Sequence, residues 1–376
     1  MKIALVCNEY PLRPHAGIGT MVQTLARALC ERGHAVIVVG LGDEDRSEND
    51  GPVKVITLKR NRVRYLGNYF SRKKIHRWLE RKALSKEIDI IEVPDSQGLL
   101  PFRFDACPVV VRLHLSYAAV GRLTNETVGK GIAYYERRTL KAHRNWIAVS
   151  RYVQDLTVET FGISATKSTV IPNAVSNGLT DSITAPPFAL PAEFVMYAGH
   201  VCYRKGADAL ALAMRSIMIK RPNLHLVYAG GVFTENGRLV SDDILGLLGP
   251  EQKERVHFLG RISRGQTLYC MTKARVFAFP SRLESFGLVV VEAMSCGVPV
   301  IFSKIGPGPE IVDDGRTGLL ANPSSPDDIG EKIEMLLSDD AYAKRLISGA
   351  HQAVKTKFSA QECAVRTEEF YRQLLP

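Results

Sequence analysis

Short runs of β-branched and apolar residues alternate with helical patterns from the first residue onward, and this alternation constrains the fold more than any other feature of the chain. Such an order specifies βαβ units and a parallel sheet, because consecutive parallel strands need a crossover that a helix supplies. The first half predicts strands over 2–7, 35–39, 53–58, 88–93, 108–113, 146–149 and 169–171, and helices over 20–32, 73–87, 130–143 and 151–161. From 174 to 191 the pattern lapses into Asn, Gly, Ser, Thr and Pro, as an interdomain linker does. The alternation restarts over 194–198, 224–229, 256–259, 276–279 and 298–302, and three helical patterns, 326–338, 340–355 and 359–375, close the chain. A length of 376 residues exceeds what one hydrophobic core usually supports. The expectation is an α/β protein of two doubly wound domains in tandem, 1–180 and 192–357, with a terminal helix within 358–376 packing back toward the first.

Composition narrows the class. With 45% hydrophobic and 23% charged residues, the chain reads as an ordinary globular protein. No apolar run approaches the roughly 20 residues of a membrane-spanning helix, and the apolar start at 3–7 is too short for a signal peptide, so a cytoplasmic protein is expected. The seven cysteines include no close Cys-x-x-Cys pair and no matching histidine spacing, which suggests neither disulfides nor zinc. The formal charge of +10 is uneven: Lys59, Arg60, Arg62, Arg64, Arg72, Lys73 and Lys74 follow one another with Tyr65, Tyr69 and Phe70 between them and no acid. Such a segment suits an anionic membrane face or RNA, and equally a solvated loop and helix start.

In open α/β sheets ligands bind beyond the carboxyl ends of the strands, so the loops there hold the candidates. The most informative stretch is Phe-Pro-Ser-Arg-Leu-Glu-Ser-Phe-Gly-Leu-Val-Val-Val-Glu-Ala-Met-Ser-Cys-Gly-Val-Pro-Val, residues 279–300. A strand ends at Pro280, a loop carries Glu284, Ser285, Phe286 and Gly287, and a helix runs from Leu288 until Gly297 stops it. Backbone amides at the helix start suit a diphosphate, and Gly287 lets a phosphate come close. Glu292 sits in an otherwise apolar helix, where a buried carboxylate needs hydrogen-bond donors; a ribose diol supplies two.

The two glutamates in Pro-Ser-x-x-Glu-Ser-Phe-Gly-Leu-Val-x-x-Glu-Ala-Met-Ser-x-Gly-x-Pro-Val resemble the signature of the retaining glycosyltransferase family 4, built on the GT-B fold of two Rossmann-like domains facing a cleft. The resemblance implies that Glu284 approaches the donor sugar, that Glu292 binds the ribose, and that the amides around Phe286, Gly287 and Leu288 touch sugar and phosphate. Tyr-Ala-Gly-His-Val-Cys-Tyr-Arg-Lys-Gly, residues 197–206, is similar to the family's basic phosphate clamp, with Lys205 in place, Arg204 beside it, and His200 where arginine is usual. The loop with His15, Gly17 and Gly19 resembles the family's glycine loop, which lies against the donor phosphates and acceptor; the full Gly-x-Gly-x-x-Gly fingerprint is absent. By the same resemblance His114 lies near the donor sugar, and Arg261 and Ile262 read the nucleotide base through their main chain. Asp95, after another strand of the same edge, is assigned to acceptor hydroxyls.

The resemblance implies transfer of a sugar from a nucleoside diphosphate sugar, UDP- or GDP-linked, to the hydroxyl of a sugar, glycoside or lipid-linked acceptor. The anomeric configuration is kept by front-side substitution, with Glu284, His114 and Lys205 at the reacting centre. No cofactor and no metal are expected, since no Asp-x-Asp stands at a strand end and a basic clamp can serve the leaving diphosphate. Nucleic acid is not expected as a partner, whereas peripheral contact with an anionic inner membrane face through 59–74 is. The alternatives are a sugar-nucleotide epimerase or a sugar phosphorylase on the same fold, and a non-catalytic module binding RNA or membrane.

Overall fold

The structure is a computed structural model, and it describes residues 1–12, 17–176 and 182–375. The chain divides into two compact units, residues 1–174 with 360–376 and residues 175–359. Among the described residues no helix is long and apolar enough to cross a membrane, and all seven cysteines are free.

The first unit is built on β1 (Lys2–Val6), β2 (Ala35–Gly42), β3 (Arg46–Asp50), β4 (Val53–Lys59), β5 (Ile90–Pro94), β6 (Val109–Leu113), β7 (Asn145–Ala148) and β8 (Lys167–Val170). Their order is β3-β4-β2-β1-β5-β6-β7-β8, parallel throughout except for β3 against β4. Every residue of β5 and β6 is buried, the expected state of strands covered on both faces. Strand β3, Arg-Ser-Glu-Asn-Asp, carries no strand composition; it is an edge strand held by backbone pairing to β4. Its last residue, Asp50, takes hydrogen bonds from the side chains of Tyr10, Gln23 and Arg27.

Strand order reverses between β1 and β5, so the loops after these two strands leave the sheet side by side. Asn8 ties them, donating from Nδ2 to Gln97 Oε1 at 2.8 Å and accepting from the Leu41 N–H at 2.9 Å. The closing helix Ala360–Arg372 packs against the helix Gly17–Glu31. It is fastened by a buried network: Arg112 binds Glu92 through Nε and Nη2 at 2.8 and 2.9 Å, Tyr371 donates to Glu92 at 2.7 Å, and Thr367 accepts from Arg112 at 3.2 Å. Burial of an ion pair is tolerated when such additional hydrogen bonds satisfy it.

The second unit contains β9 (Glu193–Ala198), β10 (Leu224–Ala229), β11 (Thr234–Glu235), β12 (Arg238–Leu239), β13 (Val256–Phe258), β14 (Val276–Phe279), β15 (Val300–Ser303) and β16 (Leu319–Ala321). Six of them form a parallel sheet in the order β13-β10-β9-β14-β15-β16; β11 and β12 make a separate hairpin. Tyr197, Tyr228, Phe277, Phe279 and Phe302 are fully buried at its centre, with Tyr228 stacked on Phe258 at 5.1 Å and Phe279 on Phe302 at 6.2 Å. Here the order reverses between β9 and β14, which brings the loops after those strands together.

Candidate active site

The loops after β9 and β14 are stapled before any ligand is considered. Arg282 grips both Asp208 oxygens at 2.7 and 2.9 Å and donates to the Tyr203 carbonyl, while its own N–H donates to the Arg204 carbonyl at 3.0 Å. Gly206 turns with φ +73°, and a Cβ there would stand 1.9 Å from the Pro280 carbonyl oxygen, so a side chain would force the two loops apart. This staple sets Lys205 against Glu284: Nζ lies 2.5 Å from Oε1 and 3.1 Å from the Leu283 carbonyl. With side chains only 19% and 14% exposed, the pair is mostly desolvated, where charge interactions strengthen.

Beyond Glu284 the chain turns through Gly287, φ +96°, into the helix Leu288–Ser295. A Cβ at Gly287 would meet the Phe302 ring at 2.6 Å. Among the described residues no acceptor takes the N–H of Gly287, Leu288 or Val289, which leaves three amides at the helix start for an anion. Ser285 is half-buried in the same turn. The Phe286 ring is buried against Phe358, so only its main chain faces the site. Glu292 already has a partner: Arg264 donates from Nε to Oε1 at 2.9 Å, with Nη2 2.6 Å from the same oxygen. The carboxylate thus has one of the donors it needs within the protein: Oε1 is held by Arg264, and no described residue takes Oε2.

The rest of this edge is cationic. The His200 ring lies on Phe233 at 4.7 Å, and burial, followed by the charges of Arg261, Lys205 and Arg204, pushes its pKa below the ordinary value. It is therefore neutral at pH 7 and contributes no charge. Lys205, expected in the phosphate clamp, is paired with Glu284 here. The side chains of Arg204 and exposed Arg261 have no hydrogen-bonding or ionic partner among the described residues. Ile262 follows Arg261 in the loop after β13, half-buried.

The edge of the first unit differs. His114 follows β6 and is buried; burial and then the charge of Arg112 push its pKa down to about 3, so the imidazole is neutral. The backbone N–H of His114 donates to Asp95 Oδ1 at 2.8 Å, which also accepts from the Ser96 N–H at 2.9 Å. Asp95 is fully buried, and burial raises its pKa to about 7 against the pull of these two amides. Its assignment to acceptor hydroxyls is corrected: the carboxyl is enclosed and holds the turn that presents His114, with Oδ2 unpartnered among the described residues. Gln97 and Leu115, on either side of this contact, have φ of +64° and +86°, conformations costly for residues with a Cβ. Buried Glu136 braces the same turn, taking the N–H groups of Gln97, Tyr117 and Ala118.

Gly17 and Gly19 were expected in a loop; both lie in the first turn of the helix Gly17–Glu31, Gly19 buried and Gly17 exposed with open space where a Cβ would be. His15 lies outside the described residues. Arg264, Arg282 and Glu136 were not anticipated from sequence. A glutamate inside an apolar helix announces that a partner exists, but nothing in the spacing says it is Arg264, 28 residues away. No three or more His, Cys, Asp or Glu side chains are grouped to hold a metal among the described residues.

The two Rossmann-like units have the GT-B fold. The family model described as Glycosyltransferase Family 4 matches residues 15–177, and that described as Glycosyl transferases group 1 matches 182–353. The chain belongs to glycosyltransferase family 4. Among curated relatives it is 26% identical to the glycogen synthase of Mycobacterium tuberculosis, covering 99% of this chain and 94% of that protein. It is 28% identical to an uncharacterized glycosyltransferase of Methanocaldococcus jannaschii, covering 99% and 98%. Among solved structures, the sucrose-phosphate synthase of Thermosynechococcus elongatus superposes with a TM-score of 0.76 at 22% identity, covering 99% of this chain and 98% of that one. The Anabaena HepE complex with UDP and glucose gives 0.74 at 21% identity over the whole of both chains.

Proposed function

We propose that the protein moves a sugar from a nucleoside diphosphate sugar to an acceptor hydroxyl, retaining the anomeric configuration by front-side substitution. The observation that carries this reading is the Lys205–Glu284 pair beside three open helix amides and two unpaired arginines. Arg204, Arg261 and the amides of residues 287–289 take the diphosphate and stabilise the charge that develops as the glycosidic bond breaks. Glu284, paired with Lys205, orients the sugar; Glu292 offers Oε2 to the ribose. Neutral His114 donates a hydrogen bond to the donor sugar. The leaving phosphate accepts the acceptor proton.

In this reading the cations and amides do the work of a divalent metal, so transfer continues in excess chelator. The donor is UDP- or GDP-linked; the structural relative complexed with UDP and glucose supports the former. The acceptor is a sugar, a glycoside or a lipid-linked sugar, and the basic segment 59–74 meets an anionic membrane face when the acceptor is lipid-linked. Incubation with a panel of nucleoside diphosphate sugars and hydroxyl acceptors tests the proposal. Nucleoside diphosphate released only with acceptor, and a product of unchanged anomeric configuration, is the expected result; an epimerised donor with no acceptor consumed would replace it with the epimerase alternative.

A further inference from the structure

The basic residues that line one cavity of the first unit take no part in the donor chemistry above. A cavity of about 1210 Å³ opens between the end of β4 and the helix Gly67–Leu84, lined by Lys59, Arg60, Lys73, Lys74, Arg77 and Arg81. On the helix these bases recur at spacings of three and four residues and so share one face. The opposite face, Ser71, Arg72, Ile75, His76 and Leu79, is buried.

Of the nearby acids, Asp45 pairs with Lys74 at 2.8 Å and Asp43 with Arg62 at 2.9 Å, while Glu80, which also lines the cavity, lies 4.0 Å from His76. Lys59, Arg60, Arg77 and Arg81 have no side-chain partner among the described residues, and Lys73 lies over the Phe102 ring at 4.8 Å. The bases outnumber these acids, and like charges gathered in excess repel one another, a cost that a bound anion removes. Lys59 ends β4, two strands from β1 in the sheet, about 10 Å along the carboxyl edge. Beside the cavity, Val63, Tyr65 and Leu66 are 53%, 87% and 53% exposed.

We propose that this cavity binds the phosphate of a phosphorylated ligand, held by Lys59, Arg60, Arg77 and Arg81. A lipid headgroup and a soluble phosphate ester offer the same chemistry; the exposed Val63 and Leu66 suit hydrocarbon and the exposed Tyr65, Tyr69 and Phe70 suit a membrane interface, with RNA kept as an outcome of the test. The proposal deepens the acceptor side of the reading above, and rests on it only for the later fate of the bound group. Binding is measured without donor, so a failure of sugar transfer and a failure of this site read separately.

The full chain is titrated with glycerol phosphate in one arm and with vesicles of phosphatidylglycerol in phosphatidylcholine in another. A double variant, Arg77→Glu with Arg81→Glu, is compared with Arg137→Glu with Arg138→Glu, an equal charge change at exposed positions elsewhere on the same unit. Wild type binds at least one probe, the first variant loses at least about tenfold while the second stays within about twofold, and Arg77→Lys with Arg81→Lys restores binding. Matching melting temperatures establish that both variants fold. Response in the first arm identifies a soluble ester, and response in the vesicle arm alone identifies a lipid. Binding to neither probe, equal losses in the two charge-reversal variants, or retention on polyuridylic RNA alone would overturn the proposal.

Discussion

The two sheets share a reversal of strand order but carry opposite chemistry beside it. At the reversal between β9 and β14 the charges are paired at the rim, Lys205 with Glu284 and Arg264 with Glu292, and Arg204 and Arg261 have no partner among the described residues. After β5 and β6, beside the reversal of the first sheet, two ionisable groups are buried and driven toward neutrality, His114 downward to about 3 and Asp95 upward to about 7. One architecture thus supplies an edge suited to a diphosphate, which needs positive charge, and another suited to hydroxyls, which a neutral imidazole can read without attracting phosphate.

The largest effect expected from breaking this division is at Glu284. Glu284→Gln removes the charge facing Lys205 but keeps the shape, so turnover falls by at least about 100-fold while nucleoside diphosphate affinity stays within about threefold. Steady-state kinetics beside calorimetry measure both, and normal turnover would remove Glu284 from the reaction. Next comes the unpaired charge: Arg204→Ala with Arg261→Ala weakens nucleoside diphosphate binding by about 10- to 100-fold, the cost of charge-assisted hydrogen bonds to phosphate. The same pair of changes leaving calorimetric affinity untouched would move the diphosphate elsewhere.

Arg264→Gln sharpens the comparison further. It releases Glu292 without touching Glu284, so the donor KM rises by about five- to tenfold with kcat little changed, and Arg264→Lys recovers part of the loss. A fall in kcat alone would show that Arg264 acts on the reacting centre. The smallest effect lies at the neutral edge. Asp95 holds its proton more tightly in the folded chain, near pH 7, than its ordinary value of 3.8 allows in the unfolded one. The stability this contributes is complete below about pH 4 and is lost as pH rises through 7. Between pH 5 and 8 the melting temperature of the wild type therefore falls by a few degrees more than that of Asp95→Asn, whose amide oxygen still accepts from Ser96 and His114. Parallel melting curves across that range would remove Asp95 from the account of pH dependence.

What the sequence reveals follows from where the information is local. Buried parallel strands such as 224–229 and 276–279 are apolar on both faces and stand out as written, as do Glu284 and Glu292 in their motif. Strand β3 is invisible because its pairing is all backbone, and β16 because three residues carry too little pattern. The helix start at Gly17 was read three residues late, since two glycines imitate a loop. Partners across long separations, Arg264 for Glu292 and Arg282 for Asp208, are set by folding and leave no spacing to find.

A crystal structure with UDP or GDP bound tests the division between the edges most directly. The account predicts diphosphate oxygens against the amides of residues 287–289 and the guanidinium groups of Arg204 and Arg261, with a ribose hydroxyl on Glu292 Oε2. A nucleotide seated instead on the neutral edge around His114 and Asp95, with the second unit's arginines still unengaged, would contradict it.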